Sequence, residues 1–338
     1  MSNRLRITVL GAGSWGTTLA ILLHENEHEV RLWEYFPEQA EAVADARENA
    51  KFLPGIGIPK SIHIGSDLDA ALADSELVLF VVPTHTMRET ARAVAATDRL
   101  RPDSTVVNAS KGLEEHTMKR MSEVLADELP VEPGNIYSLI GPSHAEEVSR
   151  KIPTSVVIAG EKGDRINRIQ RIFFRPYFRV YTNYDVVGSE IGVALKNIIA
   201  IAAGVCDGLG YGDNTKAALL SRGLVEISRL GCALGARRET FFGLSGVGDL
   251  IVTALSRHSR NRYVGERIGK GEPLDAVLNS MVMVAEGIRT TRAAVELGKK
   301  MDVELPIIKN IYKVLFNGKD PKEAIIELMN RPPREEMW

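Results

Sequence analysis

Hydrophobic and polar positions follow two different rhythms along the chain. Up to about residue 187, short apolar, β-branched runs alternate with helical stretches. The runs are residues 6–10 (RITVL), 29–33, 62–65, 77–82, 105–108 and 137–140, and the intervening stretches include TTLAILLHEN at 17–26 and residues 87–96. Such alternation predicts an α/β fold with a parallel sheet. The run LVLFVVP is apolar without a break, as a strand covered on both faces should be. Residues 155–159 and 179–182 read as two more strands that close the sheet. After Gly188 strand signals almost vanish, and helical periodicity runs through residues 215–234, 250–255, 263–270, 289–298 and 307–316. A doubly wound α/β domain over residues 1–187, followed by an all-α domain over 188–338, is therefore expected. A length of 338 residues exceeds what one core usually serves.

Composition narrows the class. The chain is 44% hydrophobic and 25% charged with a net charge of -2, so neither a nucleic-acid nor a membrane surface is implied. Cys206 and Cys232 are far from any CxxC spacing and read as reduced thiols, which points to the cytoplasm. Few residues precede the first strand, so no signal peptide is expected, and no apolar run is expected to approach membrane-spanning length. The tail that opens with Arg331-Pro332-Pro333 is expected to be disordered.

The first strand runs directly into Gly11-Ala12-Gly13-Ser14-Trp15-Gly16 and then into a helix. This G-x-G-x-x-G spacing lets the backbone turn at Gly11, lets a pyrophosphate approach at Gly13 and lets helix pack on strand at Gly16. The second strand ends at Glu34, eighteen residues past Gly16, where an acid can bond a ribose hydroxyl. Strand, glycine turn, helix and acid together predict dinucleotide binding by a Rossmann-like domain. His24-Glu25-Asn26-Glu27-His28 matches the HExxH spacing of zinc proteases, but the helix must end near Asn26 for the next strand to start at Glu29. His28 is therefore expected in a solvated turn, and no metal site is expected. Ligands bind beyond the carboxyl ends of such strands, which draws attention to Pro83-Thr84, Ser110-Lys111-Gly112 and Gly141-Pro142-Ser143-His144-Ala145.

GSEIGVALKNIIAIAAGVCD, residues 188–207, places Lys196 on a helical face shared with Gly192, Val193, Ile199, Ala200 and Ala203. A buried ammonium is costly unless paired, so Lys196 must snorkel, find an acid from elsewhere or be held there for chemistry. Lysines so placed shift toward neutral pH and recur as proton donors and acceptors. Asp249 is the one acid in the glycine-rich stretch 242–249, which is read as helix-breaking. It is a candidate partner for Lys196, its alternative being a cap for the next helix. Arg257, His258, Arg260 and Arg262, with Ser259 and Asn261, form a basic cluster suited to a small anion such as phosphate.

Together these motifs resemble soluble NAD(P)-dependent glycerol-3-phosphate dehydrogenases of the bacterial type. The resemblance spans the whole chain: GAGSWGT at Gly11, VVPTH at Val82, ASKG at Ala109, GPSHAEE at Gly141, ALKN at Ala194, GVGDL ending at Leu250, SRNRYVG at Ser259 and VAEG at Val284. It implies a Rossmann-like domain plus a helical domain like the C-terminal one of 6-phosphogluconate dehydrogenase, no integral membrane segment and a homodimer. The implied reaction interconverts dihydroxyacetone phosphate and sn-glycerol 3-phosphate, supplying glycerol phosphate for phospholipids. By position, Lys196 matches the family's catalytic lysine, and Lys111 the lysine touching substrate and cofactor. Gly141, Ser143, Asn197, Asp249, Ser259, Arg260 and Asn261 match substrate contacts. Ser14, Trp15, Ala145, Arg260, Val284 and Glu286 match cofactor contacts.

Many bacterial members carry Gly-His or a similar pair after the second strand, where this chain has Glu34-Tyr35. A carboxylate facing the ribose favours a hydroxyl over a 2′-phosphate, so NAD is expected in preference to NADP. The alternatives are a 3-hydroxyacid or 6-phosphogluconate type dehydrogenase, told apart by a carboxylate-bearing substrate, and a dinucleotide sensor without catalysis.

Overall fold

The computed structural model describes residues 4–281, 283–333 and 335–336. Eight strands form one sheet: β1 (Arg6–Leu10), β2 (Glu29–Trp33), β3 (His63–Gly65), β4 (Leu77–Phe80), β5 (Thr105–Asn108), β6 (Ile136–Ile140), β7 (Thr154–Ala159) and β8 (Phe178–Asn183). Their order is β3-β2-β1-β4-β5-β6-β7-β8. Successive side chains serve opposite faces. Ile7, Val9 and Leu79 pack with Leu19, Leu23, Ile166 and Phe173 of helices Ser14–Glu25 and Asp164–Phe173. Leu10, Val78 and Phe80 pack with Met87, Val94, Met121 and Leu125 of helices Met87–Ala96 and Met121–Glu128. This two-residue alternation is why strands that read as continuous apolar runs are buried on both sides.

The sheet departs from the all-parallel expectation at one junction. β1 to β6 are parallel, but β7 pairs antiparallel with β6 through Leu139 and Ile158, and β8 is parallel to β7. The β6–β7 connection carries only the helix Ala145–Val148. A parallel return is usually carried by a full crossover helix packed on the sheet, and residues 141–153 form no such helix.

The helix Val186–Gly208 is the axis of the second half, with every residue from Gly188 to Cys206 buried. By length and hydropathy it could cross a membrane, contrary to the expectation for this chain, but 89% of its apolar window is buried inside the protein. Helices Asp213–Ala233, Asp249–Leu255, Arg260–Gly269, Glu286–Lys300 and Pro306–Phe316 pack round it. Its crossing with Arg260–Gly269 is backbone-close. A Cβ on Gly204 would lie 1.9 Å from the Arg262 carbonyl oxygen, and one on Gly265 1.9 Å from that of Ile201. Only glycine permits this approach, which brings the start of the Arg260 helix against Asn197.

Other expectations change. The glycine-rich stretch breaks the helical path only at Gly243, which is extended: from Leu244 a π-helical turn, Leu244–Gly248, continues into Asp249–Leu255. Short helices at Leu274–Asn279 and Pro321–Met329 were not expected. In the tail, Arg331 pairs with Glu304 at 2.6 Å and Arg222 donates to the Glu336 carbonyl at 2.9 Å. These contacts tether what was expected to be disordered, while residues 334, 337 and 338 lie outside the described residues. The first helix ends at Glu25, so the two histidines of the HExxH spacing do not share it. His28 is buried rather than solvated, its Nδ1 accepting from the Leu5 N–H at 3.3 Å.

Candidate active site

The glycine turn after β1 has the geometry its spacing predicts. Gly11 sits at φ 105°, and a Cβ there would lie 2.7 Å from the Val81 carbonyl oxygen. Gly16 packs so tightly that its Cβ would lie 1.9 Å from the Gly11 carbonyl oxygen. Around Gly13, by contrast, the position a Cβ would take has nothing within 4 Å, leaving open space at the N-cap of Ser14–Glu25. That helix begins without a side-chain cap, so first-turn N–H groups starting at Ser14 face the open space. Trp15 packs near Phe178 at 6.2 Å between ring centroids, and its buried Nε1 has no hydrogen-bond partner. Glu34 follows β2, is buried, and accepts from the Phe36 N–H at 3.2 Å; the adjacent Tyr35 is exposed.

The carboxyl ends of β5 and β6 deliver Lys111, Gly141 and Ser143, while the core helix delivers Lys196 and the π-turn helix Asp249. All five meet. Lys111 Nζ donates to the Gly141 carbonyl at 2.6 Å, the Ser143 hydroxyl at 3.2 Å and Asp249 Oδ2 at 3.0 Å. Lys196 Nζ stands 3.2 Å from Asp249 Oδ1 and donates to Thr253 Oγ1 at 2.5 Å. Asp249 thus bridges two ammonium groups instead of capping its helix, and both it and Lys196 are buried. Burial pushes the Lys196 ammonium down to about 7; Asp249 opposes the shift, while Lys111 and Arg260 add to it.

A second group adjoins. Asn197 Oδ1 accepts from Asn261 Nδ2 at 3.0 Å, and Asn261 Oδ1 accepts from the Gly287 N–H at 2.9 Å. Ser259 caps the helix Arg260–Gly269 by accepting from the Arg262 N–H at 3.2 Å. Arg260 donates to the Val284 carbonyl at 2.9 Å. Glu286 accepts from the Thr84 N–H at 3.1 Å and its hydroxyl at 2.5 Å, tying the helical domain to the loop after β4. Ala145 begins the short helix after Ser143, its carbonyl accepting from Thr18 at 3.4 Å.

One member leaves the basic cluster read from the sequence. Arg262 turns to Asp207, at 2.7 Å, and to Glu266, because an α-helix carries positions 260 and 262 to different faces. Three residues near the site carried no sequence argument. Thr253 lies one helical turn past Asp249, a spacing that could have been noticed. His144 has a buried, unpartnered Nε2, and burial with Lys111 and Lys196 holds its imidazole below the usual range. Thr84 was noted only as part of a loop.

Family models and sequence relatives point to one family. The family model for the N-terminal part of NAD-dependent glycerol-3-phosphate dehydrogenase matches residues 6–165, and that for the C-terminal part matches residues 185–326. A glycerol-3-phosphate dehydrogenase (NAD(P)+) of Prosthecochloris aestuarii is 50% identical over 98% of this chain and 99% of its own. One from Geobacillus kaustophilus is 53% identical over 98% and 96%. The crystal structure of glycerol-3-phosphate dehydrogenase from Coxiella burnetii superposes with a TM-score of 0.92 at 33% identity, covering 97% of this chain and 99% of that one. With both halves matched and the identity sustained over nearly the full length, the chain belongs to the NAD-dependent glycerol-3-phosphate dehydrogenase family.

Proposed function

We propose that the protein reduces dihydroxyacetone phosphate to sn-glycerol 3-phosphate, and runs the reverse reaction, with Lys196 as the general acid and base. The observation that carries this is Asp249 bridging Lys196 and Lys111 in a buried site. Hydride addition to the C2 ketone builds negative charge on its oxygen, and a nearby group must deliver a proton there. An ammonium near 7 can give that proton and take it back at neutral pH. Asp249 and Thr253 fix its direction, while Lys111, held by Gly141 and Ser143, adds positive charge beside the developing oxyanion. Arg260, Asn261, Asn197 and Ser259 would hold the phosphate, remote from the reacting carbon, so that its binding orients the ketone.

The nicotinamide dinucleotide supplies the hydride when bound. Open space at Gly13, the uncapped helix start at Ser14 and the unpartnered Trp15 Nε1 suit its pyrophosphate and neighbouring polar groups. Glu34 at the end of β2 favours a ribose hydroxyl, which supports NAD over NADP. Val284, Ala145 and Glu286 match cofactor contacts by family position. Supply of glycerol phosphate for phospholipids, a cytoplasmic location and a homodimer fit this reading, as does a division between residues 1–187 and 188–338. Purified protein given dihydroxyacetone phosphate should consume NADH faster than NADPH, followed by absorbance. The reverse preference would discard the role of Glu34, and no consumption with either cofactor would discard the reaction.

A further inference from the structure

The core helix carries a second buried charge, Glu190, that the chemistry above does not use. Its carboxylate takes five hydrogen bonds. Oε1 accepts from Asn108 Nδ2 at 3.2 Å, the Ser122 N–H at 3.2 Å and the Ser138 hydroxyl at 2.8 Å. Oε2 accepts from Arg120 at 2.8 Å and the Ser122 hydroxyl at 2.6 Å. A buried carboxylate so fully engaged has one fixed orientation.

What matters is where those donors lead. Asn108 ends β5 and clasps Ser110 from both sides: its Oδ1 accepts from the Ser110 N–H at 2.9 Å and its Nδ2 donates to the Ser110 carbonyl at 3.2 Å. The next residue is Lys111. Ser138 lies in β6, three residues before Gly141, whose carbonyl receives the Lys111 ammonium. Lys196 stands six residues beyond Glu190, ~9 Å along the helix. One carboxylate therefore touches all three segments that carry Lys111, Gly141 and Lys196. Arg120 and Ser122 instead belong to the start of helix Met121–Glu128, which carries none of the site residues.

We infer that Glu190 is a positioning residue, which through Asn108 and Ser138 fixes the Lys111 and Gly141 loops against the helix that bears Lys196. The inference rests on the roles proposed above for Lys196 and Lys111. Asp249 reaches both ammonium groups, at 3.2 and 3.0 Å, only while their spacing is held. Displacements of about 1 Å in such a site can cost on the order of a hundredfold in rate.

Asn108→Ala and Ser122→Ala each remove a side-chain donor from the same carboxylate, but only the first cuts the link to Lys111. With kcat measured per folded molecule and NADH affinity by fluorescence, Asn108→Ala should lose about tenfold or more in kcat while NADH binding is kept. Ser122→Ala should keep kcat. Glu190→Gln, whose amide oxygen can still accept from Asn108 and Ser138, should retain more kcat than Glu190→Ala. Unchanged kcat in Asn108→Ala, or equal losses in Asn108→Ala and Ser122→Ala, would overturn the inference. Lys196→Met belongs in the same series. Full turnover there would sink the underlying reading, whereas an inactive Lys196→Met beside an unimpaired Asn108→Ala would sink only the role of Glu190.

Discussion

Glu190 and Lys196 stand on one helix, six residues apart, each 4% exposed, yet their surroundings differ in kind. Glu190 is surrounded by donors, one of them the Arg120 guanidinium, and every one of them serves its carboxylate. Among the described residues Lys196 pairs with a single carboxylate, which it shares with Lys111, so burial and a like charge work against the acid that supports it. Burial alone therefore does not mark a reactive group. Contested burial does, because it brings the free energies of the two protonation states close together.

Breaking each side of this comparison gives distinct outcomes. Lys196→Met has the largest expected effect on rate: turnover falls about a hundredfold or more while NADH still binds. The same variant should not unfold the protein. Because the folded-state value of Lys196 lies near 7 and its unfolded value at 10.5, the unfolded chain binds more protons between those limits, so wild-type stability gains from this group as pH rises through that window. Relative to wild type, Lys196→Met should therefore be more stable at pH 6 than at pH 9, as melting temperatures would register. Glu190→Ala should lower stability as well as rate. It takes the carboxylate away from Arg120, which keeps Glu123 at 3.0 Å, and from four further donors on Asn108, Ser122 and Ser138, and should cost about 3 kcal/mol in denaturant unfolding. The smallest expected effect is that of Thr253→Val, which removes a hydroxyl accepting from the protonated lysine. It should lower kcat several-fold and move the pH midpoint downward, since only the charged form loses a partner.

Much of this arrangement is legible in the residues. Strand, glycine turn and helix at Gly11–Gly16 declare themselves locally, because steric demands on neighbouring backbone fix them. Lys196 stands out as a charge in an apolar helix, and Asp249 as the one acid in a glycine-rich stretch. Glu190 sits in the same apolar stretch without drawing notice, although the reasoning that applies to Lys196 applies equally to it. Its partners come from residues 108, 120, 122 and 138, so nothing nearby in sequence distinguishes a satisfied charge from a contested one. The reversal at β7 is hidden for another reason: strand direction depends on how the connection folds, and the helix Ala145–Val148 gives no clear period. Arg262 looks like an anion ligand only while sequence proximity is taken for spatial proximity, which a helix starting at Arg260 undoes.

On this reading Lys196 changes protonation near neutral pH and gives its proton to the ketone oxygen. The pH dependence of kcat for dihydroxyacetone phosphate reduction at saturating NADH tests it most directly. The rate should fall as pH rises through a single midpoint near 7, with Lys196→Met leaving only a weak, pH-independent activity. A wild-type rate that stays level from pH 6 to 9, or a Lys196→Met variant that keeps the wild-type profile, would contradict it.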